Sequence, residues 1–243
     1  MTLRADDPHD RVGVIRQLIA SESGERDEPV VLLRRVCRAA SRELSASGVG
    51  VTVMADGGVR GISVASGPAG EQVEELQFVL GEGPCIDAFA ARHPVLTADL
   101  TSEAMTRWPV YGPAAYAAGV RAVFAFPLQF GAARLGVMEV IRGRPGSLTD
   151  NERTTALVFA DVTVEALLAY QEGAAGRDDD GDLNVLRRNR LFQAQGMVMV
   201  QLGISIGEAL VRMRAHAYAE NRRLDDVARD VVDRTLNFDR DHE

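Results

Sequence analysis

Cysteine is scarce in this chain, with Cys37 and Cys85 the only two. They are too few and too far apart for a disulfide framework or a metal knuckle, a usage that suits a reducing compartment. No apolar run approaches the roughly 20 residues that a membrane helix needs, and no signal-peptide pattern opens the chain. No membrane role is therefore expected, and the cytoplasm is the expected location. His9, His93, His216 and His242 are scattered, so no metal site is expected. The HExxH, GxSxG and phosphate-cradling glycine patterns are all missing. No catalytic residue is assigned, and the chain is expected not to be an enzyme. Lysine is absent altogether, because all 27 basic residues are arginine. That bias runs the length of the chain and reads as genome composition, not as function.

What is present is ordinary soluble-protein material: 46% hydrophobic and 26% charged residues over 243 positions, enough for two domains. Charge is unevenly spread. Residues 1–181 hold 17 arginines against 25 acids, a net of −8, whereas residues 182–238 hold 9 against 7, a net of +2. A polyanion would meet the back half, weakly and with strong salt dependence.

Residues 1–28 form an N-terminal arm with a helix around Val12 to Ala20. Pro29, suited to a first helical turn, opens a helix to about Ser45 with Val30, Leu33, Val36, Cys37, Ala40 and Leu44 inward. The period then changes from helical to alternating. Strands are expected over Gly50–Ala55 and Val59–Val64, joined by the turn signal Asp56-Gly57-Gly58. Gly67-Pro68 breaks the second, and a helix from Gly70 to Gln77 follows. Pro84 starts a further short helix, which places Cys85 near a helix N-terminus, a location that can lower a thiol pKa; a buried structural cysteine is the alternative. A short strand is expected over Pro94–Leu100, a loop with a small helix over 107–119, and two stronger strands over Arg121–Leu128 and Arg134–Ile141. Thr149 and Glu152 make a capping box opening a long helix to Tyr170. This order describes an α+β fold, an antiparallel sheet with flanking helices. Phe124, Phe126 and Trp108 either line a cavity or fill the core. Glu139, in phase with Leu135, Val137 and Ile141, either faces a pocket or pairs with an arginine such as Arg121, since an unpaired buried carboxylate is costly.

The run Leu80-Gly81-Glu82-Gly83-Pro84-Cys85, with His93-Pro94-Val95, Trp108-Pro109, Ala122–Leu128 and Leu135-Gly136-Val137, resembles a GAF domain. The resemblance implies a small-molecule sensor at residues 29–172, of unknown ligand, with no cofactor otherwise expected. Its pocket is expected to draw on Cys85, Trp108, Phe124, Phe126 and Glu139. A methionine sulfoxide reductase of this fold needs a cysteine cluster, which Cys85 alone does not supply.

Residues 173–183, small, acidic and glycine-rich, read as a linker. Behind it lie three helices. The first, Asn184 to Gln201, stops at Gly203. Ser205 and Glu208 form a second capping box, opening a helix whose stripe is Ala209, Leu210, Met213 and Ala217, with Tyr218 a marginal member. The polar turn Glu220-Asn221-Arg222-Arg223 leads to a third helix carrying Leu224, Val227, Ala228, Val231 and Leu236. Gln193-Ala194-Gln195-Gly196-Met197, Gly203-Ile204-Ser205, Glu208-Ala209, Met213-Arg214, Ala217, Asn221 and Leu224 with Asp226-Val227-Ala228 resemble an ANTAR domain over residues 184–238. The whole chain thus resembles the GAF–ANTAR regulators frequent in actinobacteria.

That resemblance implies RNA binding and transcription antitermination: a homodimer, joined through helices 150–172 and 184–201, holding a two-hairpin RNA leader. Unpaired bases are read by side chains that stack and hydrogen-bond, and arginine does both. Arg190, Gln193, Gln195, Arg214, Asn221, Arg222 and Arg223 are the candidate contacts. Asn221 otherwise caps the turn, and the arginines otherwise solvate a helical face. Many family members carry lysine where this chain has Gln195, which removes one cation. Two alternatives stand beside this reading: a DNA-binding helix-turn-helix module, and a dimeric protein-interaction regulator with a structural GAF domain.

Overall fold

A computed structural model describes residues 8–22, 29–54, 60–101, 103–173, 183–220 and 222–238. The expected turn at Asp56–Gly58 and most of the expected linker, 174–182, lie outside the described residues. The chain divides into two compact units, with the main boundary between Gly176 and Arg177.

In the first unit, α1 (Pro8–Ser21) and α2 (Pro29–Glu43) precede the hairpin strands β1 (Gly48–Met54) and β2 (Arg60–Ser66). Next come α3 (Gly67–Leu80), α4 (Pro84–Ala91), the short β3 (Val95–Thr97), α5 (Glu103–Arg107) and α6 (Tyr111–Ala117). The long strands β4 (Ala122–Phe130) and β5 (Ala133–Arg142) and the helix α7 (Asp150–Gly173) close the unit. The five strands run in the order β2-β1-β5-β4-β3, every neighbouring pair antiparallel.

Strand alternation gives the sheet two faces with different tasks. Val49, Val51, Val64, Phe124, Phe126, Leu128, Met138 and Val140 join Leu33, Val36 and Ala40 of α2 and Phe159 of α7 in one hydrophobic core. Ile15 and Ile19 of α1 belong to the same core, so the N-terminal helix is part of this fold. Arg11 of α1 donates to Asn151 Oδ1 at 2.9 Å and Thr155 Oγ1 at 3.1 Å on α7. The other face carries Gly50, Thr52, Ala125, Val137 and Glu139, in register across β1, β5 and β4.

On that second face β1 and α3 approach closely, because a Cβ on Gly48 would stand 2.6 Å from the Gly70 amide nitrogen. The α3 helix begins at Gly67, earlier than the Gly70 expected, since a proline in the first turn gives up no internal hydrogen bond. At the far end of the sheet the buried Arg142 donates to Leu44 O at 2.8 Å and pairs with Glu152. Glu152 also closes the predicted capping box, accepting from the Thr149 amide at 2.8 Å while its own amide donates to Thr149 Oγ1 at 3.2 Å.

The second unit holds α8 (Leu183–Leu202), α9 (Ile206–Ala219) and α10 (Leu224–Val232). Leu191, Ala194 and Val198 of α8 are buried, as are Ala209, Leu210, Met213 and Ala217 of α9 and Leu224, Val227, Ala228 and Val231 of α10. Three such stripes make an all-α unit. Two expected memberships differ. Tyr218 is exposed, because it lies one residue past the buried line that ends at Ala217. Leu236 lies beyond α10, which ends at Val232; Arg234 turns left-handed at φ 60° and the Leu236 amide folds back onto Asp230 O at 3.0 Å.

Candidate functional site

The first unit places a buried polar cluster on the sheet face away from the helical core. Gly70, Val73 and Gln77 share the buried side of α3, and Gln77 is wholly enclosed. Its carboxamide bridges two elements: Nε2 donates to Glu139 Oε2 of β5 at 2.6 Å, and Oε1 accepts the Cys85 amide of α4 at 2.8 Å. Gly83, at φ 138°, makes room for it, since a Cβ there would stand 2.5 Å from Gln77 Oε1.

The rest of that loop is equally specified. Glu82 Oε1 accepts the Val110 and Tyr111 amides at 2.6 and 2.7 Å, satisfying donors at the start of α6. Pro84 occupies the first turn of α4. Asp87 accepts from Arg107 Nε at 2.8 Å and from Trp108 Nε1 at 3.2 Å. The Tyr111 ring meets Trp108 edge-on at 6.0 Å. The Tyr111 hydroxyl is buried and no group among the described residues hydrogen-bonds to it. Burial, with the nearby charges of Glu139 and Cys85, holds that phenol well above its usual range.

The predicted pocket residues therefore divide. Cys85, Trp108 and Glu139 belong to this second-face region. Phe124 and Phe126 do not; they sit in the helical core, because their register partners Val140 and Met138 alternate with Glu139. Glu139 pairs with Gln77, not with Arg121. The Arg121 guanidinium instead donates to Tyr116 O and Val120 O, both at 2.8 Å, and lies over the Tyr116 ring. Gln77, Glu82, Asp87 and Tyr111 went unassigned in the sequence. Two of them left a signal: Gln77, a polar residue in helical register with Gly70 and Val73, and Glu82, inside the run that carries the GAF resemblance.

In the second unit the α8–α9 connection is built by Gly203 at φ 65°, with the Ile204 amide returning to Met199 O at 3.2 Å. The predicted capping box starts α9: Ser205 Oγ accepts the Glu208 amide, and Glu208 Oε2 accepts the Ser205 amide at 2.9 Å. Those contacts with Ser205 hold the Glu208 carboxyl below its ordinary pKa. At the other end of α9 the Arg222 amide donates to Ala217 O at 2.8 Å, folding the chain toward α10.

The candidate RNA contacts also divide. Arg190 and Gln193 are exposed on α8. Gln195 is only 2% exposed, because it shares the inward line of Leu191, Ala194 and Val198; it presents no free amide to a ligand. Arg214 is half-buried on α9. Arg222 is half-buried and its Nη2 meets Asp230 Oδ2 at 2.5 Å. Arg223 is exposed at the N-cap of α10, where its carbonyl accepts the Asp226 and Val227 amides at 3.0 and 3.2 Å. Asn221 lies outside the described residues.

Residues 27–167 match the family model of the GAF domain, and residues 185–232 that of the ANTAR domain. Among solved structures, the chain is similar to a free methionine-R-sulfoxide reductase from Neisseria meningitidis in complex with its substrate. The two are 14% identical over 71% of this chain and 97% of that one, with a TM-score of 0.51. It is also similar to the GAF domain of a phosphoenolpyruvate-protein phosphotransferase from Coxiella burnetii, 13% identical over 72% of this chain and all of that one, TM-score 0.51. At these identities the likeness is one of fold. No curated protein matches the chain.

Proposed function

This chain belongs to the GAF domain family and carries an ANTAR domain behind its GAF domain, and from that premise we propose that it is a signal-responsive transcription antitermination regulator. ANTAR domains are RNA-binding antitermination modules and GAF domains are sensors, so the output lies in α8–α10 and the input in the first unit. The observation that carries the reading is the ANTAR match over 185–232, with Arg190, Gln193 and Arg223 at its surface.

The RNA bound is a hairpin pair whose unpaired loops meet those side chains; holding it keeps a terminator from forming. The protein acts as a homodimer through α7 and α8. The ligand sensed by the GAF domain is a small polar molecule, drawn to the face that bears Tyr111, Glu139 and Cys85, and its binding shifts the population of dimer arrangements. The GAF domain is read as non-catalytic. Cys37 is buried in the helical core, and burial, reinforced by Glu74, pushes its thiol far above the usual range, which leaves a poor nucleophile. Among the described residues no single helix is long and apolar enough to cross a membrane, in keeping with a cytoplasmic site of action.

The test is a gel-shift comparison of the full chain with hairpin RNA and with duplex DNA at matched salt. Retarded RNA with unretarded DNA supports the reading; the reverse result makes the protein a DNA-binding regulator.

A further inference from the structure

Beside the exposed Glu208 and Arg212, the outward side of α9 carries an apolar strip where an output surface is expected to be charged throughout. Val211, Ala215 and Tyr218 recur at i, i+4 and i+7, opposite the buried line of Leu210, Met213 and Ala217. Tyr218 is 74% exposed and Val211 60%, so none of the described residues covers this face. Its setting is basic. Arg212 and Arg223 are exposed on either side of Tyr218, whereas Arg214 is half-buried and Arg222 is paired with Asp230. The Arg222 amide bonds to the carbonyl of Ala217, next to the tyrosine. Of the acids on this stretch, Glu208 is engaged with Ser205, and Glu220 is exposed at the helix end.

We propose that Tyr218 is a stacking platform for one unpaired base of the bound RNA, with the exposed Arg212 and Arg223 on either side placed for its phosphates. This rests on the RNA reading above and adds to it the residue that holds a base by its ring face. An aromatic ring offers its face to any nucleobase, and a side chain with two rotatable bonds loses little freedom in doing so. A second copy of the chain suits the strip less well. A twofold contact sets a patch against itself, which would bring arginines of one copy against those of the other, whereas a polyanion complements them.

The experiment measures binding of the full chain to a pool of hairpin RNAs with a constant stem and a randomised loop, over a salt series. Tyr218→Ala is expected to weaken binding roughly tenfold, within the range that base–aromatic stacking supplies, and Tyr218→Phe to bind within about twofold of the parent, since the ring and not the hydroxyl is used. The salt slope should be unchanged in Tyr218→Ala, but shallower by about one in Arg190→Gln, which removes a cation. Circular dichroism checks that the exposed substitution leaves the fold intact. A parent chain that binds while Tyr218→Ala binds equally well overturns the platform and leaves the RNA reading standing. A parent that binds no member of the pool removes both. A Tyr218→Ala variant that changes subunit number in sedimentation, with RNA affinity unaltered, reassigns the strip to a second copy and also overturns the proposal.

Discussion

Gln77 shows how much can depend on one amide. It supplies a donor to Glu139 and an acceptor to the Cys85 amide inside a buried cluster, where a group stripped of its partner bears the full desolvation cost. Gln77→Leu is therefore expected to cost roughly 2–4 kcal/mol, as two buried polar groups lose that partner. Urea unfolding followed by the fluorescence of Trp108, the only tryptophan, reads the loss. Gln77→Glu sets a second carboxyl against Glu139, and the acid that stays protonated has a raised pKa. Its deficit should be largest at neutral pH and shrink as pH falls toward the ordinary carboxyl range. A deficit that does not vary with pH would mean that the two carboxyls do not meet. Arg222 poses a different question, because its ion pair with Asp230 is about one-third exposed on both sides and is worth at most about 1 kcal/mol. If its charge serves RNA, Arg222→Ala lowers RNA affinity, while Asp230→Asn, which frees the cation, does not. Equal losses from both changes would assign the pair to the fold alone.

At the level of elements, both expected capping boxes formed, since each depends only on residues three apart. Ser205→Ala is expected to cost about 1 kcal/mol of stability through the start of α9, measured by thermal melting. The partner carboxylates add a pH dependence with a definite sign. Burial raises the Glu152 carboxyl, but the Thr149 amide and Arg142 outweigh it and lower its pKa; hydrogen bonds from Ser205 lower that of Glu208. Groups lowered in the folded state stabilise it above their unfolded pKa, about 4.3, and that contribution is lost as pH falls through the folded values. Acid titration of stability should therefore be shallower in Glu152→Gln than in the parent below about pH 4.3. Apart from α5, a helix not expected from the sequence, the elements that differed from expectation did so at their ends. Pro68 entered α3 because a first turn accepts proline, and α10 stopped short of Leu236 because Arg234 adopts a left-handed turn.

For the whole molecule, a net of +2 over residues 182–238 predicts RNA binding that collapses on raising salt, in contrast to folding stability, which rests on apolar burial in both units. Parallel salt series of RNA affinity and urea midpoint check this. A homodimer predicts sedimentation that depends on protein concentration; a single monomer species over the full range would remove the dimer from the proposed mechanism. The amino-acid order alone determined the two-unit plan, the antiparallel sheet, the three C-terminal helices and their capping residues, because periodicity, caps and glycine turns act over a few neighbours. It did not determine which face each strand residue took relative to distant helices. Phe124 and Phe126 went to the helical core and Glu139 to the opposite face, where Gln77, 62 positions away, meets it. Gln195 likewise turned inward with Leu191 and Val198. Such pairings arise only when separate elements pack, because a side chain's partner is fixed by strand register and helix rotation, and neither is written in the spacing of nearby residues.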